Sequence, residues 1–366
     1  MPKILYISIL IEKIILLVAF FVVGIIVSYI INILLLRFSE TLGIRNKNDV
    51  VVRWSNQSKP SLGGISFFVV FLFSAIGYSI VFSEDQSIFQ NKQFIGLFAA
   101  GSIAFLMGLA DDAYNTKPLI KLAVQIGCGL IFVFTDSLID LTHHFWIDAI
   151  ITVLWVIAVM NSLNMLDNMD GITGTVVVFI LAACLTSSYL VFEVNRNIWS
   201  ILLVSQIGAM IGFLKLNINP SKLFMGDAGS QFIALFVSFF AIHNLWDAGQ
   251  SIDSPSWTGL LICLVAFTPS AVDTLTVVIN RLRKGKSPMV GGKDHTTHHL
   301  VYAGLNDIKV WYVFLTISFI SLILSSIMVY LIILKIYWVL GFFALYFLIV
   351  FVILFRLTLK YAHKVK

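Results

Sequence analysis

Apolar runs long enough to cross a bilayer recur along almost the whole chain. They lie near residues 14–36, 64–82, 93–110, 118–135, 145–164, 172–191, 198–216, 230–245, 257–280, 310–333 and 337–357. A helical crossing takes roughly 20 apolar residues, and inside hydrocarbon each backbone polar group must be paired within its own segment. Such runs therefore become helices. The expected fold is an all-α polytopic integral membrane protein of about eleven transmembrane helices. Composition agrees: 59% of residues are hydrophobic and 12% charged, whereas soluble domains carry about 25% charged residues. A soluble fold is excluded. Spans and short loops account for all 366 residues, so a single transmembrane domain, residues 1–366, is expected. The run at 14–36 exceeds a signal-peptide core and no small-residue cleavage site follows it, so it is expected to remain as the first span. Cys128, Cys184 and Cys263 lie inside apolar runs without metal-ligand spacing and read as packing residues.

Orientation follows from Lys and Arg, which accumulate in cytoplasmic loops. Arg37, Arg45, Lys47, Arg53 and Lys59 follow the first span, and Arg281, Arg283, Lys284, Lys286, Lys293 and Lys309 follow the ninth. Arg356, Lys360, Lys364 and Lys366 close the chain, while the alternate loops hold only Lys92, Arg196 and Lys335, to which the N-terminus adds Lys3 and Lys13. The N-terminus is therefore expected outside and the C-terminus in the cytoplasm. Polar clusters played no part in drawing this map, yet all of them fall on its cytoplasmic side. Acids in the outer loops lack neighbouring glycines, asparagines or cations and read as solvated charges.

Four clusters carry the chemistry. Asp111 and Asp112 end the third span, with Lys117 and Lys121 following; adjacent carboxylates are tolerated where a cation or a proton-bearing substrate lies between them and the lysines. On its own the pair is more simply a hydrated helix end. In Asn161–Gly174, the residues Asn161, Asn164, Asp167 and Asp170 recur every third position. A helix end running into a tight turn would put them on one stripe, with Gly171 and Gly174 admitting a ligand such as a nucleotide or sugar. Asp227, flanked by Gly226 and Gly229 where the eighth span begins, suits Mg²⁺, which takes one or two carboxylates, waters and substrate phosphates. It reads equally well as a helix N-cap. Residues 281–300 combine basic residues and glycines with His295, His298 and His299, whose spacing faces one ligand if helical. Zinc is one reading, but no H-E-x-x-H glutamate is present, and phosphate recognition suits the remaining charges better. Pro60–Gly64 is a glycine-rich turn, and Asp273, inside the ninth span, needs a partner, for which Arg281 is a candidate.

These motifs resemble those of the polyprenyl-phosphate N-acetylhexosamine-1-phosphate transferases, the MraY/WecA/TagO superfamily of glycosyltransferase family 4. The likeness spans nearly the whole chain and keeps the family's order. It comprises P-x-x-G-G at Pro60–Gly64, the Asp111–Asp112 pair, N-x-x-N-x-x-D-x-x-D-G at Asn161–Gly171, G-D-x-G-S at Gly226–Ser230 and D-H-x-x-H-H at Asp294–His299. The family's topology of ten or eleven spans with a cytoplasmic active site matches the map above.

The resemblance implies transfer of a sugar 1-phosphate from a UDP-sugar to a polyprenyl phosphate such as undecaprenyl phosphate, releasing UMP. That reaction is the first membrane step of cell-envelope polysaccharide synthesis at the bacterial inner membrane. By similarity, Asp227 binds Mg²⁺, or Mn²⁺, on the donor pyrophosphate, and Asp111 or Asp112 engages or deprotonates the lipid phosphate. Asp167, Asp170, Asn164, Asn161 and Gly171 serve the uridine and sugar side. Lys59, Lys121, Arg281, His295, His298 and His299 bind phosphate or sugar. A lipid monophosphate, with a second pKa near 6, is already largely dianionic, which favours direct attack over a covalent aspartyl intermediate. The expected partners are the UDP-sugar, the lipid phosphate and the bilayer, with no nucleic acid; a homodimer is an open option.

The chain departs from the family's usual pattern twice. Asn168 stands where D-G-x-D-G has its first glycine, and Thr296 and Thr297 separate His295 from His298 where the muramoyl-pentapeptide branch has consecutive histidines. The second departure points to the branch using plain UDP-N-acetylhexosamines such as UDP-GlcNAc, with an MraY-type substrate as the nearer alternative. A secondary transporter is the alternative from another class, but its carboxylates should lie near mid-bilayer rather than at helix ends. A binding or structural membrane protein has no need of four such clusters at one face; a catalytically dead relative is a further alternative.

Overall fold

The computed structural model describes residues 3–39, 60–82, 88–191, 197–252, 254–288 and 291–364. Within them the apolar runs form α1 (Lys3–Ser39), α2 (Gly64–Val81), α3 (Lys92–Tyr114), α4 (Pro118–Phe134), α5 (Phe145–Leu166), α6 (Ile172–Val191) and α7 (Asn197–Asn217). The second half holds α8 (Gly226–Ala241), α9 (Asp247–Gln250), α10 (Trp257–Ala266), α11 (Thr268–Arg283), α12 (Thr296–Tyr302), α13 (Asp307–Ile333) and α14 (Leu340–Lys360). The protein is an all-helical, polytopic membrane protein. Among the described residues, nine helices are long and apolar enough to cross a membrane, and a bent pair makes a tenth. The remaining expected span, α4, has only 17 residues.

Two expected spans take a different form. The run at 257–280 is not one helix: α10 and α11 meet at 84°. Pro269, in the first turn of α11, cannot donate to the helix before it. The Val265 carbonyl this releases is taken by a side chain, since Thr268 Oγ1 donates to Val265 O at 2.9 Å. A break is tolerable at membrane depth only with such compensation. The eighth span, by contrast, is longer than 230–245, running from Gly226 through a π turn at Ile242–Trp246 to Gln250. Its apolar window is wholly buried inside the protein, which makes it the axis on which α2, α3, α5 and α6 pack. The apolar run looks short because its first turns carry polar residues that face the site rather than lipid.

Close approach of α1 to α7 closes one flank. Lipid tails give no hydrophobic drive for helices to associate, so membrane helices pack through small residues. A Cβ on Gly208 would lie 2.3 Å from Phe21 O, and one on Gly212 2.5 Å from Ile25 O. These two glycines, four residues apart on α7, let the backbones touch. Gly208→Ile is expected to force α1 away and to lower stability by about 2–3 kcal/mol, read as a fall in apparent Tm in detergent.

Candidate active site

The site is assembled where α3 and α5 end and α8 begins. Adjacent residues on a helix point about 100° apart, so Asp111 and Asp112 engage different neighbours. Thr116, just beyond the helix, donates to Asp111 Oδ1 from its backbone at 2.8 Å and its hydroxyl at 2.7 Å, and Lys121 Nζ pairs with Asp111 Oδ2. Asp112 Oδ2 accepts from the Ala228 amide at 3.0 Å. Of the two lysines that follow the acidic pair, Lys121 thus bonds Asp111 directly.

The turn at Pro60–Gly64 holds the start of α8. Phe224 N donates to Pro60 O at 2.9 Å, Gly63 N to Phe224 O at 3.0 Å and Gly64 N to Met225 O at 2.9 Å. So clasped, Gly226 takes φ +76°, and a Cβ there would lie 2.4 Å from Ser61 O and 2.8 Å from Asp112 Oδ2. Gly226→Ala should displace Asp112 or Asp227 and cut activity by about 100-fold, a 1 Å misplacement being worth that much; the check is turnover at saturating substrates. Asp227, next in sequence, accepts from Asn164 Nδ2 at 2.8 Å through Oδ1, and its carboxyl comes within hydrogen-bonding reach of Asp111.

The expected stripe of four residues divides. Asn161 Nδ2 donates to Gln125 Oε1 at 2.7 Å, and Gln125 Nε2 to Gln231 Oε1 at 3.4 Å, a buried polar chain that ties α5 to α4 and α8. Asn164 bonds Asp227 and Ser230 Oγ, each at 2.8 Å. Asp170 Oδ2 accepts from Ser221 N at 3.1 Å and Asn219 Nδ2 at 3.4 Å, and Gly171 N donates to Asn217 Oδ1 at 3.0 Å, so both anchor the loop after α7. Only Asn164 and Asp167 remain turned toward the α3 and α8 carboxylates. Desolvation, then the charges of Asp227, Asp112 and Asp170, push the Asp167 pKa up to about 7.

The histidines do not share one ligand. His295 Nδ1 lies 2.8 Å from Asp273 Oδ2, and Asp273 Oδ1 accepts from Thr296 N at 2.8 Å. Arg281, foreseen as the partner of Asp273, instead grips Asp294, Nε to Oδ2 at 2.8 Å and Nη2 to Oδ1 at 2.6 Å, while Nη1 donates to Pro288 O at 2.8 Å. The pairing differs because both residues stand on α11, about 12 Å apart along its axis, and each instead meets the segment ahead of α12. Burial opposes ionisation of Asp294, but the Arg281 guanidinium outweighs it and holds the carboxyl below its ordinary range. His299 Nδ1 lies 2.8 Å from His295 O, its own helical turn. His298 is pushed down to about 3 by burial and by neighbouring His295, so near neutral pH it offers a neutral imidazole rather than a cation. Lys59 lies outside the described residues.

Among the described residues no three His, Cys, Asp or Glu side chains converge as a ready-made metal cage. The donor set still fits Mg²⁺, which uses one or two carboxylates and takes its other oxygens from water and phosphate. Asp111 and Asp227 in contact, with Asp112 and Asp167 beside them and Lys121 paired to Asp111, form an excess of negative charge that a divalent cation offsets. The sequence does not single out Thr116, Gln125 or Gln231; isolated hydroxyls and amides carry no motif until the fold brings them to a carboxylate.

Residues 94–244 match the model of glycosyl transferase family 4. A probable undecaprenyl-phosphate N-acetylglucosaminyl 1-phosphate transferase of Bacillus subtilis is 24% identical over 310 residues, covering 81% of this chain and 80% of the relative. The chain fits that superfamily. Decaprenyl-phosphate N-acetylglucosaminephosphotransferase of Mycolicibacterium smegmatis is 25% identical over 75% of this chain and 71% of its own length. Phospho-N-acetylmuramoyl-pentapeptide-transferase of Streptococcus uberis is 28% identical over 72% and 81%. The family 4 match takes in Asp111, Asp112, Lys121, Asn164, Asp167 and Asp227, whereas α10–α14 and the histidine segment lie beyond it.

Proposed function

We propose that this protein transfers a sugar 1-phosphate, N-acetylglucosamine 1-phosphate in the first instance, from a UDP-sugar to a polyprenyl phosphate at the cytoplasmic face of a bacterial inner membrane. The observation that carries the reading is the meeting of Asp111, Asp112, Asp167 and Asp227 with Lys121 and Asn164 at one end of an apolar bundle. A nucleotide from water and a lipid phosphate from the bilayer can meet only at such a boundary. The Thr296–Thr297 spacing supports the N-acetylglucosamine donor over a muramoyl-pentapeptide one, while the relatives include transferases of both kinds.

Phosphoryl transfer asks mainly for alignment and charge neutralisation. Asp227, with Asp111, would hold Mg²⁺ or Mn²⁺, which supplies charge neutralisation on the donor pyrophosphate. Lys121, oriented by Asp111, faces the incoming lipid phosphate. An oxygen of that phosphate attacks the sugar-bearing phosphorus, the bond to the bridging oxygen breaks, and UMP departs with its electron pair. Asn164 steadies Asp227, while Asp167 and neutral His298 flank the uridine and sugar with hydrogen-bonding groups.

The test is purified protein with Mg²⁺, a polyprenyl phosphate and a panel of radiolabelled UDP-sugars that includes UDP-N-acetylmuramoyl-pentapeptide. Lipid-linked label from UDP-GlcNAc is the expected result. Label from the pentapeptide donor alone would move the assignment to that branch. No lipid-linked label from any donor, together with solute flux in vesicles, would replace the enzyme by a transporter.

A further inference from the structure

The Asp167 turn and the histidine helix α12 belong to distant parts of the chain, yet one side-chain bond fastens them. Thr297 Oγ1 donates to Asn168 Oδ1 at 2.6 Å. The amide is fixed from its other end, since Asn168 Nδ2 donates to Met165 O at 2.9 Å, which aims its oxygen at the fully buried Thr297. The His298 ring sits against the Asn168 backbone. Thr296 is held in a second direction by Asp273, through both its amide and its hydroxyl. The two threonines thus strap the histidine segment between α11 and the Asp167 turn.

Position in sequence gives the bond its consequence. Asn168 follows Asp167, and Thr297 precedes His298. Consecutive Cα atoms are about 3.8 Å apart, so a bond between the two intervening side chains sets how far Asp167 stands from His298. These are also the two places where the chain departs from the pattern it otherwise resembles. A glycine at 168 has no side chain to receive the hydroxyl, so the two departures act as one feature.

We propose that Asn168 and Thr297 form a clasp that fixes the spacing between Asp167 and His298, and that they are positioning residues for the nucleotide-sugar side of the site. They touch neither the Asp111–Lys121 pair nor Asp227, so the lipid-phosphate side is independent of them. The kinetic arm of the test rests on the transfer reading; the exchange arm does not.

The experiment compares Asn168→Ala, Thr297→Val, the double variant and Thr297→Ser. Each single removal leaves the other side chain without its hydrogen-bond partner, and the expected result is a KM for UDP-GlcNAc raised roughly tenfold. The KM for polyprenyl phosphate should stay within about twofold. The double variant should be no worse than the worse single one, and Thr297→Ser, which keeps the hydroxyl, should match the parent. Amide hydrogen exchange across Thr296–Tyr302 should accelerate in both single variants and no further in the double. Multiplying effects, a parallel rise in both KM values, or a Thr297→Ser variant as impaired as Thr297→Val would overturn the clasp. Should the parent transfer no sugar from any donor, the transfer reading falls and exchange alone decides: unchanged rates in the variants overturn the clasp.

Discussion

The Asp227→Asn variant is expected to lose transfer by about 1,000-fold or more while keeping the fold. Asparagine retains an oxygen where Asp227 Oδ1 accepts from Asn164 Nδ2 at 2.8 Å, so the link between α5 and α8 survives. What disappears is one negative charge beside Asp111, and with it the means of holding a divalent cation against a pyrophosphate. Easing the crowding of carboxylates should leave the apparent Tm equal to the parent's or slightly higher. The parent itself should lose activity in EDTA and regain it with Mg²⁺ or Mn²⁺, whereas no added cation should rescue Asp227→Asn. Turnover above a tenth of the parent's would remove Asp227 from the metal role. By comparison, Asn164→Ala deletes only a neutral donor, so a loss of about 10-fold to 100-fold is expected.

Particular residues show why some of this was legible in the sequence and some was not. The spans could be read because hydrocarbon leaves the backbone no alternative to a helix, and their limits fall within a few residues of α2, α3, α5, α6 and α7. The α10–α11 corner could not, because mean hydropathy does not register what Pro269 does to the turn before it. Carboxylates at helix ends are rare in so apolar a chain, so Asp111, Asp112, Asp167 and Asp227 could be nominated one cluster at a time. Their mutual placement depends on α8 running through the centre of the bundle, a packing outcome with no local signature. Partner choice was the least legible level. Arg281 stands eight residues from Asp273 on one apolar run, but that is about 12 Å along α11, and the segment ahead of α12 supplies a nearer partner to each, His295 to Asp273 and Asp294 to Arg281. Likewise Asp170 and Asn161 share the threefold spacing of Asn164, yet the turn after Leu166 sends Asp170 to the loop beyond α7, and Gln125 captures Asn161.

The buried Asp273 carries the second large effect, and two substitutions separate its parts. It is fully enclosed and accepts from His295 Nδ1, Thr296 N and Thr296 Oγ1 at 2.8, 2.8 and 2.5 Å. Asp273→Ala strands an amide, a hydroxyl and an imidazole N–H away from water, and removing one side of such a buried charged network costs about 3–5 kcal/mol. The apparent Tm should fall accordingly, and exchange across Thr296–Tyr302 should rise sharply. Asp273→Asn differs in kind. Its oxygen can still receive the Thr296 amide, but its NH₂ then faces His295 Nδ1, which must become an acceptor, so the imidazole proton moves to Nε2. Such a protein should stay folded, with α12 protected, and still turn over slowly, because a group the site needs as an acceptor has become a donor. In a hydrolase triad the same substitution lowers kcat by about 10⁴ with the geometry intact, and here a fall of about 100-fold is expected. Asp273→Ala as stable as the parent would show that the enclosure of Asp273 does not hold α12. Asp273→Asn with parental turnover would show that the tautomer of His295 is irrelevant to transfer.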